Sequence, residues 1–208
     1  MRNRRKNDKI LAYIALILCI AQVVVMIVSW IISATGADAT TRSLLGAEGI
    51  RWLFGHFVDN MLTPLLIWML ILSIAIGSFI HSGLAEATKN IFCRMRLPFR
   101  ERIAFRLALV ELSAFIILVL LLTVIPHAIL LSSTGHLIPS SFSKSFIPMV
   151  AFLLCFISVS YGVMSGRLNS MSKVLHNLTI GIVNSLPLWL YYIILTELYS
   201  SLRFSFFS

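Results

Sequence analysis

The chain has 208 residues, of which 59% are hydrophobic and only 12% are charged, with a formal net charge of +9 and a mean hydropathy of +0.94. A soluble domain carries about 25% charged residues, so this composition excludes an ordinary water-soluble globular protein. The positive charge is accounted for by contacts with anionic lipid headgroups, and it does not require a nucleic-acid partner.

Five apolar runs are long enough to cross a bilayer, because a helix rises about 1.5 Å per residue and the hydrocarbon layer is roughly 30 Å thick. They comprise residues 10–33, 61–80, 107–125, 146–164 and 177–196. The first run is longer than the about 7–15 apolar residues of a signal peptide, so we expect it to be retained. The sequence therefore predicts an all-α, polytopic membrane helix bundle in one integral membrane domain over residues 1–208, with about five transmembrane helices plus one short interfacial helix.

Basic residues are divided unevenly between the two sides that five crossings would create. With the N-terminus (1–9) in the cytoplasm, the inner side holds twelve of them: Arg2, Arg4, Arg5, Lys6, Lys9, Lys89, Arg94, Arg96, Arg100, Arg102, Arg167 and Lys173. The outer side holds four: Arg42, Arg51, Lys144 and Arg203. Because cytoplasmic loops are enriched in Lys and Arg, the pattern predicts a multi-pass membrane protein with a cytoplasmic N-terminus. We expect the membrane to be the bacterial inner membrane.

An amphipathic segment precedes the second span. Its apolar side chains recur at helical spacing and form one stripe: Ile50, Leu53, Phe54, Phe57 and Val58. Polar Asp59 and Asn60 follow directly, at the edge of the apolar run. The stripe predicts a helix lying in the membrane interface. The alternative is a gate-like helix over a cavity, and we favour the interfacial anchor.

Glu111 is the one carboxylate deep inside an apolar run. We expect it about eight residues into its helix, roughly 10–12 Å from the inner edge. Arg106 projects about 140° away from it on the same helix, so the partner must be another helix, a bound proton or a wet cavity. Two interpretations stay open, a proton-coupling carboxylate and a neutral carboxyl that packs helices together.

The last span places Asn177, Gly181 and Asn184 on one helical face. Two amides and a glycine on one stripe indicate a packed or wet face rather than a lipid-facing one. We favour hydrogen bonding between helices over contact with a ligand.

Residues for enzymatic or metal chemistry do not form a recognisable pattern in the sequence. Cys19, Cys93 and Cys155 are solitary, and no Cys/His cluster with ligand spacing is present. No nucleophile and base stand in a catalytic arrangement. We therefore predict a protein that is not an enzyme and that has no metal site and no cofactor.

Two stretches carry small and polar residues in a recognisable order. The first, residues 44–84, presents in sequence Gly49, Asn60, Pro64, Gly77, Ser82, Gly83 and Leu84. The second, residues 145–207, contains "YGVMSG", then Pro187, then Glu197. Together they resemble the AbgT family of p-aminobenzoyl-glutamate transporters. That family has a Tyr-Gly-x-x-x-Gly turn at "YGVMSG", a proline that opens a helix at Pro187 and a polar residue at Glu197.

The chain also departs from the family pattern. Ile80 stands where the family has an acidic residue, and one plain span replaces a re-entrant hairpin between the second and fourth spans. The resemblance therefore implies a shortened member that lacks the family's second half.

The function implied by the resemblance is movement of p-aminobenzoyl-glutamate, or a related aromatic amide or folate catabolite, coupled to protons. The alternative is a non-transporting membrane scaffold or accessory subunit derived from that fold. The candidate residues for substrate binding or coupling are Asp59, Asn60, Glu111, Asn177, Asn184 and Glu197. The expected partners are the lipid bilayer and a second copy or partner subunit that completes the cavity.

Overall fold

The structure is a computed structural model that describes residues 2–36, 41–124 and 141–207. Within these ranges the chain is helical and contains no strand, which confirms the predicted all-α class. The helices are α1 (Arg2–Thr35), α2 (Ala47–Gly55), α3 (Phe57–Met61), α4 (Pro64–His81), α5 (Leu84–Phe92), α6 (Phe99–Val124), α7 (Ser141–Met164) and α8 (Met171–Phe206).

Five of the described helices are long and apolar enough to cross a membrane, as predicted. Their spanning segments are Lys9–Thr35, Pro64–His81, Phe99–Leu122, Ser145–Met164 and Met171–Phe206. The third and fifth begin earlier than the apolar runs, and the fifth also ends later. A helix continues beyond its apolar part because long polar side chains in its last turns reach the headgroups. The apolar runs are therefore shorter than these helices.

The amphipathic segment before α4 is broken, so the prediction that Ile50 to Val58 form one continuous helix is wrong. The location of this segment in the membrane interface stays a prediction. The helix α2 ends at Gly55, His56 has non-helical backbone angles (φ −104°, ψ 5°), and α3 follows as a second short helix. A further break at Leu62 separates α3 from α4. Pro64 begins α4, where its missing N–H removes no hydrogen bond and its fixed φ suits the first turn.

The basic segment after α4 contains the short helix α5 (Leu84–Phe92). Gly83 adopts a left-handed conformation (φ 85°) and immediately precedes α5. The chain leaves the helical conformation at Cys93, and α6 begins directly after Pro98. Proline disfavours a helical residue before it, which accounts for the start of α6 immediately after Pro98.

Pro187 does not open a helix, which corrects an expectation based on the family resemblance. It lies inside α8, which continues for 36 residues. Proline is tolerated inside membrane helices because neighbouring helices, side chains and local adjustments satisfy the backbone groups that it frees.

The contacts of the chain group into two compact units. The first comprises Met1–Leu66 with Leu186–Ser208, and the second comprises Ile67–Ser185. The prediction of a single membrane domain stays a prediction. The core of the second unit is formed by α5, α6 and α7, together with the connector before α6, through the following buried side chains: Leu84, Ala87, Leu97, Ala104, Ala108, Ile157 and Tyr161.

Inside the second unit, α4 and α8 meet at two glycines. A Cβ atom on Gly77 would fall on the backbone of Gly181, and a Cβ on Gly181 would overlap the carbonyl oxygen of Ser73. Only hydrogen atoms fit between these backbones, so the close approach requires glycine on both helices. Small residues commonly have this role between membrane helices.

The connectors contact one another as five crossings require. In the first unit, the backbone N–H of Arg42 donates to the carbonyl of Ser205 (3.1 Å), which joins the α1–α2 connector to the end of α8. In the second unit, Arg167 in the α7–α8 turn contacts Glu86 on α5 (2.8 Å). A chain that crosses five times brings each of these pairs to a common side.

Candidate functional site

Two of the candidate polar residues, Asn60 and Glu197, come together in the first unit. The Asn60 amide nitrogen lies 3.5 Å from Glu197 Oε2 and donates to it. Glu197 is only 9% exposed, and its other oxygen, Oε1, is buried without a hydrogen-bond partner. Asp59 precedes Asn60 in α3 but is exposed. The structure therefore brings Asn60 and Glu197 together and leaves Asp59 outside this pair.

A polar stripe extends from Glu197 along the buried face of α8. Ser201 and Ser205 follow at four-residue spacing and are fully buried. The amide of Gln22 on α1 donates to the Ser201 hydroxyl (2.8 Å). The Ser205 hydroxyl and Gln22 Oε1 are buried without partners. Sequence reasoning missed this stripe, although the spacing of Glu197, Ser201 and Ser205 could have indicated it.

Tyr192 stabilises the break between α3 and α4. Its hydroxyl donates to the carbonyl of Met61 (2.7 Å) and lies 2.6 Å from the hydroxyl of Thr63. Carbonyls at the end of a helix lack a donor within that helix. The Met61 carbonyl accepts from the backbone N–H of Thr63 (2.8 Å) as well as from Tyr192, so it has one backbone donor and one side-chain donor. Tyr192 thus holds the broken segment that carries Asn60.

An aromatic pocket of about 320 Å³ lies beside the Asn60–Glu197 pair, also within the first unit. Its lining residues are Trp52, Asn60, Tyr199, Ser200, Arg203, Phe204 and Phe207. The rings of Trp52 and Phe204 are stacked, with centroids 4.4 Å apart. The pocket therefore offers aromatic faces, one guanidinium and one amide to a small molecule, a combination that suits a planar ligand with a carboxylate or amide group.

Glu111 has a partner on another helix. The Ser160 hydroxyl on α7 donates to Glu111 Oε1 (2.5 Å), while Oε2 is buried without a partner. Because α6 begins at Phe99, Glu111 lies near the middle of this 26-residue helix, about 18 Å from either end. The expectation that Glu111 lies about eight residues into its helix is therefore wrong, because the charged residues at the start of α6 are themselves helical. Its distance from the inner membrane edge stays a prediction.

The surroundings of Glu111 are apolar. It lines a groove of about 470 Å³ between α6 and α7, together with Ala114, Phe115, Leu118, Phe152, Leu153 and Phe156. A charged carboxylate in the middle of a membrane is strongly disfavoured unless it is paired or hydrated. One hydroxyl donor leaves this carboxyl group with capacity for a proton on its second oxygen.

Asn177 links α8 to α4. It is 1% exposed, and its amide nitrogen donates to the Ser78 hydroxyl (2.6 Å) beside the Gly77–Gly181 contact. Its carbonyl oxygen is buried without a partner. Asn184, which the sequence placed on the same packed face, is exposed. The prediction of hydrogen bonding between helices therefore describes Asn177 and does not extend to Asn184.

An ionic contact that sequence reasoning missed joins three segments of the second unit. Arg167 in the α7–α8 turn contacts Glu86 on α5 (2.8 Å) and Glu101 at the start of α6 (3.4 Å). The hydrogen bond that Arg167 donates to Glu86 raises the pKa of Arg167, so the guanidinium keeps its charge. A side chain at Gly83 would meet this guanidinium, so Gly83 leaves space for it.

Groups with metal-binding character are sparse. Among the described residues, no group of three or more His, Cys, Asp or Glu could hold a metal ion. The rings of His81 and His176 meet edge to face, with centroids 6.2 Å apart. The three cysteines are free thiols.

Comparison of the chain with protein-family models, with curated proteins and with solved structures finds no match. The class of the protein follows from its helices alone, which define an all-α, multi-pass membrane protein. Membership of the AbgT family stays a prediction from the resemblance.

Proposed function

We propose that this chain is a membrane transporter related to the AbgT family, and that it moves p-aminobenzoyl-glutamate or a similar aromatic amide in exchange with, or together with, protons. The observation that carries the proposal is the aromatic pocket. Both stretches that resemble the family contribute to it, with Trp52 and Asn60 from the first and Tyr199, Arg203 and Phe204 from the second.

The chemistry of the pocket suits such a substrate. A benzoyl ring stacks on the faces of Trp52 and Phe204, and a carboxylate pairs with the guanidinium of Arg203. Asn60 has both a donor and an acceptor for an amide group. Its contact with Glu197 connects the pocket to a buried carboxyl group, so a ligand that displaces the Asn60 amide would also change the surroundings of Glu197.

Proton coupling is assigned to Glu111. Its second oxygen is buried and unpartnered in the middle of α6, so protonation removes an unfavourable charge and deprotonation restores it. A carboxyl group that alternates between these states can link proton movement to a change in helix packing, because its hydrogen bond to Ser160 joins α6 to α7.

Uptake of labelled p-aminobenzoyl-glutamate into proteoliposomes tests the proposal. We expect the wild-type protein to transport it and Arg203→Gln to raise the KM at least tenfold, because the substrate loses its charge partner. The matched control is Arg51→Gln, which removes the same charge from an exposed position on α2 outside the pocket. Equal kinetics for the two variants would contradict the assignment of the pocket.

A second candidate function is a membrane scaffold or accessory subunit without transport activity. The observation that favours it is the backbone contact of Gly77 with Gly181, supported by the hydrogen bond of Asn177 to Ser78. Such a contact fixes α4 against α8, and a scaffold requires only that kind of packing. Purified wild-type protein that binds no substrate and carries no flux would favour this function.

The cellular setting belongs to the same proposal. The protein lies in a bacterial inner membrane with its N-terminus in the cytoplasm, as the distribution of basic residues predicts. A second copy or a partner subunit completes the transport pathway, because the described groove around Glu111 is open and apolar on its own.

A further inference from the structure

The start of α6 carries a pocket that the transport proposal does not use. It has a volume of about 330 Å³ and lies within the second unit. Three guanidinium groups and an apolar floor line it, through Ile91, Met95, Arg96, Leu97, Arg102, Phe105 and Arg106. We call it the arginine pocket. Arg102 and Arg106 are one turn apart on α6, and Arg96 reaches the pocket from the connector between α5 and α6.

The charge of the arginine pocket is not neutralised by the protein. Two carboxylates lie on the neighbouring elements, Glu86 on α5 and Glu101 in the first turn of α6. Both of them contact Arg167. Among the described residues, neither Arg96 nor Arg106 forms an ion pair with a carboxylate. Arg102 donates to the carbonyl of Leu97 (3.3 Å), which keeps the connector against α6 and leaves the charge unpaired.

Exposed large apolar side chains occur in the pocket lining and next to lining residues in the sequence. Phe92 is 90% exposed and Phe99 is 75% exposed, while Met95 in the lining is also exposed. Aromatic and aliphatic groups beside unpaired arginines at the end of a membrane-spanning helix match the boundary between headgroups and acyl chains. A soluble polyanion such as a nucleic acid has no acyl chain that could pack on the apolar floor, whereas a phospholipid has one.

We propose that the arginine pocket binds one anionic phospholipid, with the phosphate held by Arg96, Arg102 and Arg106 and the first part of an acyl chain on Leu97 and Phe105. Basic pockets beside membrane helices are a recognised form of lipid headgroup site. The pocket is lined by residues of α5, the connector and α6, so a bound lipid contacts all three segments. Arg167 contacts only α5 and α6, through Glu86 and Glu101. The lipid site is independent of the transport function and serves a scaffold equally.

Native mass spectrometry of the purified chain, titrated with phosphatidylglycerol or phosphatidylcholine in a neutral detergent, tests the site. We expect a single phosphatidylglycerol to be retained in preference to phosphatidylcholine. The variant Arg96→Gln/Arg106→Gln should weaken phosphatidylglycerol binding about 25-fold, because each of the two basic side chains near an anionic headgroup contributes about fivefold. The matched control is Lys89→Gln/Arg100→Gln, which removes the same charge from exposed positions outside the pocket and should change binding less than about threefold.

The outcomes separate the site from its rivals. Equal losses for the two double variants would show diffuse attraction and overturn the proposal, as would unchanged binding by the pocket variant. Displacement of phosphatidylglycerol by an equal concentration of inorganic phosphate would identify a free-anion site and overturn the choice of a lipid. Because a glutamine pair could disturb the fold, Arg106→Lys is added. This variant keeps the positive charge and should retain the preference for phosphatidylglycerol within about threefold. If Arg106→Lys lost the preference, that result would also contradict a phosphate held mainly by charge.

Discussion

Replacement of Gly181 by alanine should separate α4 from α8. The new Cβ would overlap the carbonyl oxygen of Ser73 and lie 2.9 Å from the Cα of Gly77, where an ordinary contact between carbon atoms is about 3.5–4.0 Å. Both obstructing groups are backbone, so neither can rotate away, and the helices must move apart by about 1 Å. The hydrogen bond of Asn177 to Ser78, at 2.6 Å, would lengthen to the limit of such bonds.

We expect Gly181→Ala to lower the free energy of unfolding by about 1–3 kcal/mol, the usual range for overpacking a close contact. Reversible unfolding by sodium dodecyl sulfate in mixed micelles, followed by circular dichroism, measures the change. The control is Gly55→Ala, since a Cβ on Gly55 has no atom within 4 Å, and the helix-forming alanine should leave stability unchanged or slightly higher. Wild-type stability of Gly181→Ala, or an equal loss in the control, would refute the contact.

Three further outcomes follow from the structure. Tyr192→Phe should lower the free energy of unfolding by about 1–2 kcal/mol, because the Met61 carbonyl loses one of its two donors and the Thr63 hydroxyl loses its partner, and thermal unfolding in detergent measures it. Arg167→Gln should lower it by about 0.2–1 kcal/mol at low salt and by less in high salt, since the ion pairs are partly exposed. Raising the pH from about 7 to about 10 should not weaken those pairs, because the raised pKa keeps Arg167 charged throughout. With the cysteines of the spans replaced by serine, an impermeant thiol reagent should label Cys93 only from the cytoplasmic side and Arg51→Cys only from the outside, and the reverse would overturn the orientation.

The sequence predicted the spanning helices well because their signal is local. A run of about twenty apolar residues needs only its own composition to become a membrane helix. The ends of the helices were less predictable, since Arg102 and Arg106 continue α6 in spite of their charge. The break at His56 was missed because the apolar stripe continues from Phe54 to Phe57 on either side of it, and no proline or left-handed glycine marks the break.

The candidate site was predicted only in part because its contacts join distant segments. The pairing of Asn60 with Glu197, or of Glu111 with Ser160, depends on which helices are neighbours, and a single sequence does not contain that information. Glu111 stood out because a carboxylate is rare inside a span. Serines such as Ser160 are common in membrane helices, so the presence of a serine in a span did not indicate a functional partner.

Proton-driven uptake by the purified chain tests the transport proposal most directly. Wild-type protein and Glu111→Gln are reconstituted in proteoliposomes, and uptake of labelled p-aminobenzoyl-glutamate is measured with and without a pH gradient. Glu48→Gln is the control, because it removes an exposed carboxylate from α2. We predict that the gradient accelerates uptake by the wild-type protein and by Glu48→Gln, and that Glu111→Gln abolishes this acceleration while the protein stays folded. Gradient-driven uptake that survives Glu111→Gln would remove Glu111 from the mechanism, and the absence of any uptake by the wild-type protein would contradict transport by this chain on its own.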